Sequence, residues 1–348
     1  MEYKFVAPTQ DGQTARFILN DINIDYLALR SKLPEDLCIE AIEQVKKRSG
    51  KKCAIVFGNC QTLKLRYIFQ NHMQFRREYF LLTVPAVCDY KENMVEALYG
   101  GGGTFLKLCD LFISQHVKEE NRFGSLLSTK NISEKFNENT KIVWIPNVYF
   151  KGYFPQFGPN THNVDTDKQG SGRFPYGDKY IDEIMENSGM NPDVEKILDT
   201  ISDENFIPPD VIQTAVDKSL NELKRREWNC DVKMSDYVEN NFRDQSIFFS
   251  PNHPVPPVLI ELARRIFKFI GIRSDNFYEF KDMLDERNHN WSLIGLDIPI
   301  YPAVKKFCRF EKCLDLYYAN AFLWNFRAGF RDFLRQYILM CWHEKFSK

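Results

Sequence analysis

The sequence predicts an α/β fold with a mostly parallel central sheet flanked by helices, and with further helices at the C-terminus. Three observations predict it. Short apolar runs recur along the chain: CAIVFG at 53–58, REYFLLTVPAV at 77–87, LFISQ at 111–115, KIVWIPNVYF at 141–150 and QSIFFSPNHP at 245–254. Helical patterns lie between several of them, and buried strands separated by helices are how a parallel sheet reads in sequence. The composition is 44% apolar and 27% charged over 348 residues, which suits a globular protein with a large core, and 29 Phe make that core aromatic.

Residues 1–50 read as an extension packed on the main domain. RFILNDINIDYLAL has strand-like apolar content. Pro34 then opens a helix with Cys38, Ala41, Ile42 and Val45 on one face, and Gly50 closes it after a basic last turn. Residues 51–310 are the expected α/β catalytic domain. CAIVFG ends in Gly58 and runs into a helical pattern with Leu63, Tyr67 and Ile68; Pro85 closes the second strand; GGGG at 100–103 makes a turn before the helical FLKLCD. The Gly-, Pro- and Asn-rich stretch 151–180 predicts a long ordered loop of the kind that often carries function. Residues 192–229 read as mostly helical, and VLIELARRIFKFIG as a helix ending at Gly271.

Residues 311–348 form an aromatic helical segment. Arg327, Arg331 and Arg335 stand four apart, and Phe322, Phe326, Phe330, Phe333 and Tyr337 form a stripe at helical spacing. Packing on the main domain, or on a second copy in a homo-oligomer, is the simpler expectation. Peripheral membrane contact through aromatics and arginine is the alternative.

Several classes are excluded or disfavoured. A formal net charge of −1 without a basic stripe speaks against wholesale nucleic-acid binding. The start, MEYKFVAPTQDGQ, has no apolar core of a signal peptide, and no uncharged run reaches membrane-spanning length. The nine cysteines are odd in number and scattered, so reduced thiols and a cytoplasmic location are expected. Cys308 and Cys313 have no matching second pair, so no structural metal is expected.

The chemistry centres on FGNCQ. Cys60 follows a strand and precedes a helix, at the carboxyl end of a strand where open α/β sheets bind ligands. A helix N-terminus offers unpaired N–H groups and partial positive charge, which favour the reactive thiolate. Gly58 lets the backbone turn, and the N–H groups near Cys60 and Gln61, with the Asn59 amide, can hold an oxyanion. The arrangement is that of a nucleophile elbow without its GxSxG sequence. A buried structural cysteine fits the same pattern.

A thiol nucleophile needs a base. Of six histidines, His253 is the first candidate, because SPNHP follows the strand SIFF and should stand at the carboxyl edge of the sheet. His116 is the second, directly after LFISQ, with Gln115 beside it to donate to a substrate or oxyanion. A polar loop residue without chemistry is the alternative for each.

FGNCQ, LFISQHV, PNVYFKGYFP and FFSPNHP, in that order, resemble the WcbI family of polysaccharide-biosynthesis proteins, over about Cys53 to Ile270. The resemblance implies acetyltransferases that use acetyl-coenzyme A to O-acetylate capsular sugars, and a layout similar to the SGNH hydrolases with Cys60 in place of serine. Cys60 and Gln61 fall in the GNCQ motif, Asn252 and His253 in the NHP motif. SGNH enzymes carry an Asp three residues before the His, where this chain has Ser250, so the group that orients His253 is open. The coenzyme A co-substrate implied here carries phosphates that call for cations. Lys64 and Arg66 after the Cys60 turn, Arg243 before the His253 strand, and Lys151 and Arg173 flanking the long loop are the candidates, each with a solvated surface charge as its alternative. Tyr149, Tyr153 and Phe154 can line a groove or sit in the core. The acceptor is a sugar or a lipid-linked polysaccharide precursor. The alternatives are a carbohydrate esterase or deacetylase on the same scaffold, and a non-catalytic binder of coenzyme A or glycan.

Overall fold

A computed structural model describes residues 1–9, 13–100, 102–159, 176–189, 192–273, 293, 297–310, 313, 317–318 and 327–346. Most of the predicted loop at 151–180 lies outside the described residues, as do Arg173, Phe322, Phe326 and the side chain of Arg327. The chain divides into two compact units: residues 1–147 with 226–233 and 259–285, and residues 148–225 with 234–258 and 286–348.

The first unit is built on a parallel sheet of five strands. Strand β1 (Glu2–Pro8) and strand β2 (Thr14–Asn20) form an antiparallel hairpin outside it, in which Tyr3, Phe5 and Ala7 alternate inward. The sheet comprises β3 (Asn23–Asp25), β4 (Lys52–Phe57), β5 (Tyr79–Thr83), β6 (Leu111–Gln115) and β7 (Lys141–Ile145) in the order β3-β5-β4-β6-β7, every pairing parallel. Residues 53–57 of β4 and all of β6 are buried, because helices and turns cover both faces, so these strands read as continuous apolar runs rather than alternating ones.

Four of the five predicted strands form in this unit's sheet or its neighbourhood as expected, and one does not. Phe248–Ser250 of the QSIFFSPNHP run pairs antiparallel with His253–Pro254 in a two-stranded hairpin of the second unit. The fifth strand of the sheet is Asn23–Asp25, from the N-terminal extension. His253 therefore does not extend a strand of the parallel sheet. The N-terminal RFILNDINIDYLAL run divides into β2, β3 and the helix Tyr26–Arg30, which Asp25 caps by accepting from the Ala28 N–H. Helix Glu35–Ser49 buries the predicted face of Cys38, Ala41, Ile42 and Val45 and ends on Gly50 at φ 70°.

The second unit is mainly helical, with Lys179–Asn187, Val194–Ser202, Pro209–Arg226, Pro302–Cys308 and Phe330–Phe346 its longer helices. Asp178 ties three of its parts. Its carboxylate caps Lys179–Asn187, accepting from Tyr180 and Ile181 N–H groups, and accepts from the buried Tyr301 hydroxyl at 2.8 Å. Its own N–H donates to Tyr337 Oη, from the C-terminal helix. Phe333 and Tyr337 of the predicted stripe are buried, and Arg331 and Arg335 pair with Glu195, Arg331 also with Asp199. Within this unit Phe333 and Tyr337 are thus internal packing, and Arg331 and Arg335 are paired with carboxylates. Among the described residues no helix is long and apolar enough to cross a membrane.

Burial outweighs the hydrogen bonds at Asp178 and raises its carboxyl from 3.8 to about 7. A carboxyl with a raised folded pKa holds its proton more tightly folded than unfolded, so its contribution is complete below about pH 4 and is lost as pH rises through 7. Asp178→Asn, which keeps a competent cap, is expected to flatten the decline in melting temperature across that window; an unchanged pH slope in calorimetric melts would refute this.

Candidate functional site

The Cys60 turn is assembled from the carboxyl ends of three adjacent strands. β4 ends at Phe57, and Gly58 turns the chain at φ 152°. A Cβ at Gly58 would lie 2.4 Å from Gln115 Oε1 and 2.8 Å from Thr62 Cγ2, so only glycine fits. Asn59 is the N-cap of helix Cys60–Asn71, its side chain accepting from the Gln61 N–H at 3.0 Å.

A chain of amides then crosses the sheet. The Asn59 N–H donates to Gln115 Oε1 at 2.9 Å, Gln115 Nε2 donates to Gln61 Oε1 at 3.3 Å, and Gln61 Nε2 donates to Asn147 Oδ1 at 2.9 Å. Gln115 is the last residue of β6 and Asn147 lies two residues past β7. Gln61 is 0% and Gln115 3% exposed. These two glutamines, expected to face a substrate or oxyanion, hold the turn in shape, and the Asn59 and Gln61 N–H groups are likewise committed to it. Asn147 was not singled out from sequence, although it sits in the PNVYF segment that carried the resemblance.

Cys60 is half-buried and is the first residue of its helix. Burial, then the neighbouring Cys88 and Asp89, push its thiol up to about 12, against the pull of the Gln61 and Cys60 N–H groups. The expected thiolate is therefore a neutral thiol in this structure: the field of the helix N-terminus acts as anticipated but burial is the larger effect. Cys88 and Asp89 belong to the short turn Val87–Asp89, which is fixed by the Val87 N–H donating to Gly58 O at 2.8 Å.

The predicted cations separate sharply. Lys64, one helical turn beyond Cys60, lies on the same face, close enough for a Cys60 thiolate to raise its pKa while burial lowers it. Arg66 is only 6% exposed; its guanidinium donates to Val56 O at 3.0 and 2.6 Å and to Val84 O. It is a structural clamp and not a phosphate ligand. Arg243, in the second unit, donates to Gln213 Oε1 and Phe307 O and stacks on Phe242 and Phe307. Lys151, also in the second unit, lines a cavity.

His116 stacks on Trp144, ring centroids 4.5 Å apart at 17°, with Nε2 3.3 Å from Asn229 O. This packing accounts for it without chemistry. His253 is 5% exposed, and its cross-strand partner is Ser250, the residue at the SGNH aspartate position, whose buried Oγ has no hydrogen bond among the described residues. Asn252 forms the tip of the same hairpin. Tyr153 and Phe154 are core residues. Among the described residues no group of His, Cys, Asp and Glu is arranged to hold a metal ion.

The family model for the polysaccharide biosynthesis enzyme WcbI matches residues 53–275. One solved structure, described as WcbI, a novel polysaccharide biosynthesis enzyme, in its native form without a disulfide bond between coenzyme A and one of its cysteines, is similar in fold. Its TM-score is 0.66 at 18% identity, over 84% of this chain and 90% of that one. No curated protein matches.

Two outcomes are expected. Gln115→Met removes the acceptor of the Asn59 N–H and the donor to Gln61 Oε1 and should lower stability by about 1–3 kcal/mol, read from the urea midpoint; no change would mean the amide chain is not structural. Peptide-resolved iodoacetamide labelling of Cys60 should still climb with pH beyond 9, where an ordinary thiol levels off, toward about 12. A plateau near neutrality would show a thiolate instead.

Proposed function

This chain belongs to the WcbI family of polysaccharide biosynthesis enzymes, and on that premise we propose that it transfers an acyl group, acetyl in the simplest case, from coenzyme A to a sugar hydroxyl of a surface-polysaccharide precursor, free or lipid-linked. The observation that carries this reading is the Cys60 turn: a half-buried thiol at a helix N-terminus, held by buried amides at the carboxyl ends of β4, β6 and β7. A position so heavily supported suits a group that must meet a ligand at fixed geometry. The similar WcbI structure is described in terms of coenzyme A and a cysteine, which supports a thioester or thiol ligand at this position.

In the covalent version, the Cys60 sulfur attacks the acetyl thioester, its proton passes to a base, and coenzyme A leaves as its thiol. The sugar hydroxyl then attacks acetyl-Cys60, giving the O-acetyl sugar and the free thiol. Because Cys60 is a neutral thiol at rest, the first step requires a general base, and His253 of the NHP hairpin is assigned that role. In the direct version, His253 takes the proton of the sugar hydroxyl as it attacks acetyl-coenzyme A, and Cys60 shapes the site; the raised Cys60 pKa is the observation that favours it. Lys64, one helical turn from Cys60, is the cation of this helix proposed to meet a phosphate or carbonyl oxygen.

Calorimetric titration with acetyl-coenzyme A is expected to show binding in the micromolar range, and intact-mass measurement after mixing should show one acetyl group on wild type and none on Cys60→Ala. Retained binding and transfer to a sugar acceptor by Cys60→Ala would select the direct version. Absence of binding to acetyl-coenzyme A and to coenzyme A would overturn acyl transfer from this donor and direct attention to ester hydrolysis.

A further inference from the structure

The second unit contains a cavity of about 390 Å³ on the exposed side of helix Pro209–Arg226. Val211, Ala215 and Lys218 come to it from one face of that helix, at spacings of four and three residues. Lys151 and Lys179 stand on its other walls. The segment carrying Lys151 is docked on the helix by its N–H, which donates to Ser219 Oγ at 2.6 Å. The two ammonium groups are set over aromatic rings, Lys151 Nζ 4.7 Å from the Phe157 centroid and Lys179 Nζ 4.9 Å from that of Tyr180.

The cavity lining carries three lysines and one carboxylate. Among the described residues none of the three lysines makes an ion pair. The one carboxylate in the lining, Glu222, is held by Arg225 through two hydrogen bonds at 2.7 and 2.8 Å. Lys151 is held below its ordinary pKa by burial and then by the positive charge of Lys179. Cations brought together against their mutual repulsion, beside an apolar wall of Val211, Ala215 and Pro155, lower their energy when a multiply charged anion enters, and the volume falls in the range of ligand pockets.

We propose that this cavity is a subsite for a pyrophosphate-bearing ligand, with Lys151, Lys179 and Lys218 holding the phosphates and the apolar wall packing the organic group attached to them. The inference does not depend on acyl transfer. Two sources share this chemistry, the pyrophosphate of coenzyme A and that of a nucleotide diphosphate sugar.

The test is calorimetry on the full-length chain with inorganic pyrophosphate, coenzyme A and a uridine diphosphate sugar, on wild type, on each Lys→Ala variant, on the triple variant, and on Val211→Trp. Folding of each variant is checked by its melting temperature. Pyrophosphate should bind wild type in a salt-sensitive manner, weaken about tenfold with each lysine removed, and bind the triple variant immeasurably. Val211→Trp should keep pyrophosphate and lose the organic ligand. Displacement of pyrophosphate by coenzyme A supports the subsite and assigns it to the donor; displacement by the nucleotide sugar supports it and assigns it to the acceptor. No pyrophosphate binding, binding that survives the triple substitution, or displacement by neither organic ligand overturns the proposal.

Discussion

A buried side-chain amide must place two donors and an acceptor without help from water, and this constraint organises the Cys60 turn. The Asn59 N–H has no other partner in the turn than Gln115 Oε1. Once that oxygen is fixed, the Gln115 NH2 must point to Gln61, and the Gln61 NH2 must then point to Asn147. One backbone donor thus sets the orientation of the whole row, and the row joins the ends of β4, β6 and β7. Gly58 is a condition of the same arrangement, since a side chain there would occupy the space of the Gln115 amide.

Arg66 completes the framework on the other side. It is buried under the helix that Cys60 begins, and its guanidinium bridges Val56 O in β4 and Val84 O just past β5. Four strand ends in succession, β5, β4, β6 and β7, are therefore tied by side chains of three segments: the FGNCQ turn with its helix, the end of β6, and Asn147 just past β7. Burial lowers the Arg66 pKa to about 10, which still leaves the guanidinium charged at neutral pH, and its donors are spent on carbonyls rather than left for a ligand. The geometry around Cys60 is accordingly fixed where it touches the sheet, while the thiol itself is half-buried.

Much of this was legible in the residues, and what was not has definite causes. CAIVF, YFLLT, LFISQ and KIVWI read as strands because a parallel sheet buried on both faces demands continuous apolar runs. Asn23–Asp25 was obscured because three residues with Asn and Asp at the ends carry almost no pattern; its place comes from pairing with β5. Phe248–Ser250 has the composition of a core strand, and composition does not say which strand it will pair with. Arg66 looked available for phosphate because its position in the helix, six residues from the cysteine, gives no hint that it turns back under the strand. Lys179 and Lys218 went unnoticed because they are far apart in sequence and share nothing until Lys151 and helix Pro209–Arg226 meet.

A cysteine at a helix N-terminus invites the inference of a stable thiolate, because the dipole and the free N–H groups act in that direction. Here burial opposes charge throughout, Cys88 and Asp89 disfavour a further negative charge beside them, and the Gln61 N–H is partly taken up by the side chain of Asn59, which caps the helix. The sum keeps the proton on sulfur. A neutral thiol is poorly reactive toward oxidants and stray electrophiles. It also follows that sulfur can act as a nucleophile only in a step that removes its proton concurrently. A reaction at this sulfur would therefore depend on a base that arrives with the substrate.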